Sequence, residues 1–166
     1  MKIAIIGQQD FGKEVLEAFL ARKDEVAGVF CAPEKPGAKA DPLRTAAEAH
    51  GLKVFQFPSL RVPEAHDALK SLNVDIGVMA YVLQFAPDTF VHLPRLGMIQ
   101  YHPSVLPKYR GRAPINWAVL HGEPRIGMTL HRMVKKADAG AIVEHALAQI
   151  PAVKMPAQHH HLTGHG

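Results

Sequence analysis

Short apolar runs alternate with segments of helical periodicity through the first two-thirds of this chain, and that alternation constrains its fold more than any other feature. Lys2 to Ile6 reads as a buried strand ending at Gly7, and Phe11, Val15, Leu16, Phe19 and Leu20 after it share one helical face. Glu25 to Phe30 is the next strand. Asp41 and Pro42 then supply an N-cap and a first-turn proline for a helix that Gly51 stops. Val54 to Phe57 reads as a third strand, Pro63 to Leu72 as a helix, Val74 to Tyr81 as a strongly apolar fourth strand and Gly97 to Tyr101 as a fifth. A helix over Ala113 to His121 precedes two further strands, Gly127 to Met133 and Ala141 to Ile150, joined by a loop around Asp138. A connection that short implies antiparallel pairing at that edge. The expected class is α/β, an open and mostly parallel sheet with an antiparallel edge, whose ligands bind beyond the carboxyl ends of its strands.

The 166 residues, 48% of them apolar, suffice for one compact domain and not for two. Residues 1–150 carry the pattern. Residues 151–166 have no helical period and contain the cluster His159, His160 and His161, so they are expected to be an unstructured tail. No run approaches the ~20 apolar residues of a membrane span, and the first apolar stretch is too short for a signal peptide, so a cytoplasmic protein with no membrane partner is expected. The single cysteine, Cys31, excludes an internal disulfide and a cysteine-based zinc site, and no metal is expected elsewhere. Charge is uneven. Arg95 to Lys136 holds eight basic residues against one acid, Glu123, while the rest of the chain is net acidic. Such a segment is either a solvated basic face or a field that favours an anionic partner.

Two constellations bear on chemistry. Gly7 to Lys13 has the spacing of a phosphate-binding loop, but Glu14 stands where a Ser or Thr hydroxyl would bind magnesium, and Gln9 stands where a dinucleotide fingerprint needs glycine. These glycines are expected to serve the turn and close helix packing. Gln100-Tyr101-His102-Pro103-Ser104, at the end of the fifth strand, is the stronger signal. A strand period of two puts Gln100 and His102 on one face, and Pro103 ends the ladder there. Asp138, followed by Ala139 and Gly140, can reach the imidazole from the neighbouring edge. An Asp–His pair with an adjacent amide suits oxyanion stabilisation and proton transfer, although a strand-end histidine can equally be a satisfied polar residue.

The run from His102 through Leu106-Pro107-Lys108-Tyr109-Arg110-Gly111, continuing through Ala113-Pro114-Ile115-Asn116-Trp117, Gly127 to Met133 and Ala137-Asp138-Ala139-Gly140, resembles the folate-dependent formyltransferase family. The second half is similar to the catalytic domain of methionyl-tRNA formyltransferase and to the domain that formylates UDP-aminoarabinose. The first half is closer to the hydrolase domain of 10-formyltetrahydrofolate dehydrogenase. The resemblance covers about residues 1–150 and implies a Rossmann-like formyltransferase fold, here C-terminally truncated, since relatives continue into further helices.

It also implies 10-formyltetrahydrofolate as formyl donor, an Asn-x-His motif and a distant Asp. His102 and Asp138 match the last two, and Gln100 stands where most transferases have Asn and the hydrolase relatives an aliphatic residue. The catalytic set implied is therefore His102, Asp138 and Gln100. Folate contacts are implied for Tyr81, Val82, Leu83, Gln84, Phe85, Ser104 and Leu106, and an anionic acceptor or folate tail is expected to meet Lys108, Arg110 and Arg112. The expected reaction is formyl transfer to an amine, with methionyl-tRNA as first choice of acceptor. The alternatives are hydrolysis to tetrahydrofolate and formate, and an inactive truncated domain that binds folate or RNA.

Overall fold

A computed structural model describes residues 1–136 and 138–149. The strands β1 (Lys2–Gly7), β2 (Glu25–Cys31), β3 (Val54–Gln56), β4 (Ile76–Ala80), β5 (Met98–His102), β6 (Arg125–Arg132) and β7 (Ile142–Gln149) form one sheet in the order β3-β2-β1-β4-β5-β6-β7. β1 to β5 run parallel, and β6 and β7 make the antiparallel edge. The tail expected over residues 151–166 lies outside the described residues. No helix among the described residues is long and apolar enough to cross a membrane.

Alternation along each strand divides the core between the two faces. Ala4 and Ile6 of β1 join Phe30, Met79 and Met98 in a cluster that α3 (Pro63–Leu72) and α4 (Asp88–Val91) cover with Leu69, Leu72, Phe90 and Val91. Ile3 and Ile5 point the other way, onto Leu16 of α1 (Gln9–Ala21) and Leu43 and Ala47 of α2 (Pro42–Ala49). The fifth helix, α5 (Pro114–Leu120), buries only Pro114 and Ala118.

The structure departs from the sequence reading at the ends of elements. β4 is shorter than expected because the Lys2 N–H goes to the Asp75 carboxylate at 2.8 Å instead of to a backbone carbonyl, although the Asp75 N–H and carbonyl still bond to Lys2 and Leu96, and because Tyr81 turns to a left-handed φ of 64°. Helix α4, unanticipated, has too few residues to show a period, and it is anchored by the buried Phe90 and Val91. β6 begins two residues early, at Arg125.

A polar network ties the helices to the carboxyl ends of β1, β2 and β3. Asp41 caps α2 through the Leu43 N–H, and both its oxygens accept from the Gln9 N–H at 2.9 Å, so one carboxylate fixes the starts of α1 and α2. Glu34 in turn accepts from the Asp41 N–H at 2.9 Å, from Gln56 Nε2 at 2.8 Å and from Arg44 Nη1 at 3.1 Å. Cys31 lies buried beside this network, and burial first, then the Asp41 and Glu34 carboxylates, push its thiol up to about 12, so it stays an unreactive part of the core. The Asp41 N–H and the Gln56 amide hold the Glu34 carboxyl down at about 2 against an ordinary 4.5. A lowered folded-state value stabilises the fold above the unfolded value and loses that contribution as pH falls toward the folded one. Glu34→Gln should therefore lower the urea midpoint at neutral pH, with the gap to the parent closing between about 4.5 and about 2. A gap that stays constant across that range would show that Glu34 contributes no charge-dependent stability.

Candidate active site

β4 and β5 lie side by side and deliver their carboxyl ends to one edge of the sheet. Gln100 and His102, two residues apart on β5, both line a cleft of about 770 Å³ at that edge. Its size is ordinary for a small-molecule site. One wall is the segment from Tyr81 to Ala86 that follows β4. The opposite wall is Gly111 to Ala113 together with Met133 to Lys135. The first wall is fixed from outside, where Gln84 Nε2 donates to the Phe57 carbonyl at 2.7 Å and the Arg61 guanidinium lies 4.6 Å from the centre of the Phe85 ring.

Asp138 reaches the cleft because the chain after β6 folds back over the sheet. Arg132 pairs with Ile99, yet Asp138 sits beside His102, three residues further along β5. That reversal uses a left-handed turn at Asp138, φ 51°, and Gly140, where a Cβ would overlap the Arg132 carbonyl. Asp138 Oδ1 then lies 3.4 Å from His102 Nδ1 and 3.5 Å from His131 Nε2, and Oδ2 accepts the Gly111 N–H at 3.0 Å. His102 Nε2 donates to the Tyr109 carbonyl at 2.8 Å, so Nδ1 is the ring nitrogen turned to Asp138 and the cleft. The two carboxylate–imidazole contacts are longer than the roughly 2.8 Å of a tight charge-assisted bond. Oδ1 thus keeps bonding capacity for a third group.

His131 was not singled out from the sequence, and it is 1% exposed. Its Nδ1 donates to the Arg132 carbonyl at 3.1 Å, and its buried Nε2 has no hydrogen-bond partner. A buried polar atom left in that state is costly, and the charged group beside it is the Asp138 carboxylate, 3.5 Å away. The legible signal was cross-strand: β6 sets His131 opposite Gln100 and Thr129 opposite His102, so a histidine on the buried face of the expected strand had to meet the Gln100 side.

Of the residues implied from the sequence, Tyr81, Val82, Leu83, Gln84 and Phe85 line the cleft together with Gln100, His102, Asp138 and Arg112. Ser104 and Leu106 do not. After Pro103 the chain turns beneath the site, where Ser104 Oγ donates to the Lys108 carbonyl at 2.6 Å, and Thr129 Oγ1 donates to the Ser104 carbonyl while accepting the Leu106 N–H. Both serve the turn that carries Tyr109 to His102. Lys108 also lies away from the cleft, with Nζ 3.5 Å from Glu123 Oε1, and Arg110 is exposed outside its lining. Lys135, not anticipated, joins Arg112 in the wall, so among the described lining residues two cations face the single carboxylate of Asp138. The glycine-bearing loop after β1 is filled by the protein itself: a Cβ at Gly7 would overlap the Ala80 carbonyl, Gly12 packs on Leu43, and Asp41 occupies the Gln9 N–H.

The chain matches the formyl transferase family over residues 1–158. It is 41% identical over 148 residues to the cytosolic 10-formyltetrahydrofolate dehydrogenase of Xenopus tropicalis, an alignment covering 86% of this chain and 16% of that protein. It is 36% identical over 147 residues to the methionyl-tRNA formyltransferase of Thermotoga maritima, covering 86% of this chain and 47% of that one. The chain thus spans less than half the length of either relative. Its backbone superposes on phosphoribosylglycinamide formyltransferase from Bacillus halodurans with a TM-score of 0.77, over 93% of this chain and 83% of that chain at 22% identity, a likeness of fold. On the strength of the match along nearly all its length and of two relatives well above 30% identity, the chain belongs to the formyl transferase family.

Proposed function

We propose that the cleft binds 10-formyltetrahydrofolate and transfers its formyl group to an amine, with methionyl-tRNA the acceptor we favour. The observation that carries this reading is Asp138 Oδ1, held 3.4 Å and 3.5 Å from two imidazoles beside the Gln100 amide at the base of a cleft of small-molecule size. The donor supplies an activated one-carbon group on nitrogen. The chain's residues act on what that chemistry requires. As the amine adds to the formyl carbon, negative charge develops on the formyl oxygen, and the Gln100 amide is the donor on the cleft face that can meet it; with Nε2 donating to the Tyr109 carbonyl, His102 Nδ1 joins it as a donor only in the imidazolium form. The amine gives up one proton and the departing folate nitrogen gains one, so the site needs a relay and no net acid or base. Asp138 Oδ1, free to accept a third group, is suited to pass that proton. Arg112 and Lys135 in the wall favour an anionic acceptor or the carboxylates of a folate tail, and the family's tRNA-modifying relative supports the first.

Hydrolysis is the second reading, with water in place of the amine. It is favoured by the higher identity to the 10-formyltetrahydrofolate dehydrogenase. The deciding assay incubates the protein with 10-formyltetrahydrofolate alone and then with methionyl-tRNA. Transfer predicts formylated acceptor and little formate without it; rapid formate release that no acceptor diverts would replace transfer by hydrolysis.

Two substitutions test the roles. Asp138→Asn keeps the shape but removes the proton acceptor, and should lower turnover by roughly 10²-fold to 10⁴-fold while donor affinity changes little. Loss of donor binding with turnover per bound donor intact would remove Asp138 from the relay. Gln100→Leu should cost roughly 10²-fold in turnover, as for one oxyanion donor, with Gln100→Asn retaining it. Undiminished turnover in the Leu variant would leave the oxyanion to His102 alone and favour hydrolysis.

A further inference from the structure

Tyr109 has a left-handed backbone, φ 54°, a conformation that a residue bearing a side chain keeps only when its surroundings hold it. Its phenol donates to Glu123 Oε1 at 2.9 Å and lies 3.0 Å from His121 Nδ1, whose ring is 5.7 Å away. Both partners are fixed to the end of α5: His121 caps it, with its N–H on the Trp117 carbonyl, and the Glu123 N–H donates to the Ala118 carbonyl at 3.0 Å. At its other end Tyr109 presents the carbonyl that accepts from His102 Nε2 at 2.8 Å, and two residues on, Gly111 donates to Asp138. A three-residue segment thus touches the outer atoms of both His102 and Asp138, and the Tyr109 side chain is its anchor.

We propose that Tyr109 is a positioning residue: its phenol, pinned by Glu123 and His121 at the end of α5, sets the carbonyl that orients the His102 ring and so aims Nδ1 into the cleft. The Tyr109 hydroxyl, aided by Lys108, also holds the Glu123 carboxyl below the usual range, which keeps it a charged acceptor for the phenol. Tyr109 touches no reacting atom. Its effect passes through the ring angle, to which catalysis is sensitive on a sub-ångström scale.

The inference rests on the formyl-transfer reading for its kinetic consequence, and a second readout separates the two. Tyr109→Phe, Glu123→Ala and Glu123→Gln are compared by turnover of 10-formyltetrahydrofolate, by tetrahydrofolate affinity, and by nitrogen-15 NMR of the His102 ring N–H. Tyr109→Phe and Glu123→Ala should each lower kcat by about tenfold, less than the ~10²-fold of a full 1 Å misplacement. Affinity should stay within about twofold, because the uniform binding contacts are untouched. Both should speed exchange of the His102 Nε2 proton. Glu123→Gln, whose amide oxygen still accepts from the phenol, should restore both readouts. A Tyr109→Phe protein with parental kcat and parental proton exchange would overturn the proposal, as would a Glu123→Gln variant as impaired as Glu123→Ala. If Tyr109→Phe fails to fold, the Glu123 pair decides. If the parent itself shows no turnover, the formyl-transfer reading falls, and the ring-proton comparison alone still decides for or against Tyr109.

Discussion

The site depends on one carboxylate whose side chain is 9% exposed. Asp138 is drawn to within 3.5 Å of His102 and His131 and is bonded through its second oxygen to the Gly111 N–H. Those partners come from three separate parts of the chain. His102 ends the last parallel strand, His131 lies on the first antiparallel one, and Asp138 returns on a loop that folds back over the face both strands share. The change from parallel to antiparallel pairing at β6 is therefore what makes the constellation possible. A purely parallel sheet would carry the chain away across a helix before an acid could reach the imidazole.

Such an arrangement is a poor investment for stability alone. Burying a carboxylate beside two imidazoles costs desolvation that long contacts only partly return, and His131 Nε2 stays without a hydrogen bond. What stabilises the domain lies elsewhere, in the two apolar layers on either side of β1, β2 and β4, and in the carboxylates of Asp41 and Glu34 that fix the helix starts. The chain separates the two tasks in space. Strand centres carry the core, and strand ends carry the polar groups that line the cleft.

That separation also explains how far the sequence could be read. β1 to β5 were legible because buried parallel strands are continuous apolar runs bounded by turn residues, and α2 because Asp41-Pro42 is a local capping signal. Gln100 and His102 were legible for the same local reason, a period of two at a strand end. His131 was not, because its meaning lies in a cross-strand register with Gln100 that no single segment contains. Ser104 and Leu106 are implied as folate contacts by the family resemblance, whereas here the chain turns under the site and Thr129 takes up the Ser104 carbonyl and the Leu106 N–H. Helix α4 escaped because four residues show no period, and only the burial of Phe90 in the tertiary structure accounts for it.

The proposed folate site is the cleft between the segment after β4 and the Asp138 loop. Titration of the isotopically labelled chain with tetrahydrofolate, followed by backbone amide NMR shifts, locates the bound folate. Folate in the cleft should give saturable shifts concentrated at Tyr81 to Ala86, Gln100 to His102, Gly111 to Ala113 and Met133 to Lys135, the residues that frame it. A second groove of about 280 Å³, almost wholly apolar and running between Phe19 of α1 and Tyr101 of β5, provides the internal comparison. Shifts confined to that groove, or no saturable shift at all, would show that folate does not bind in the cleft.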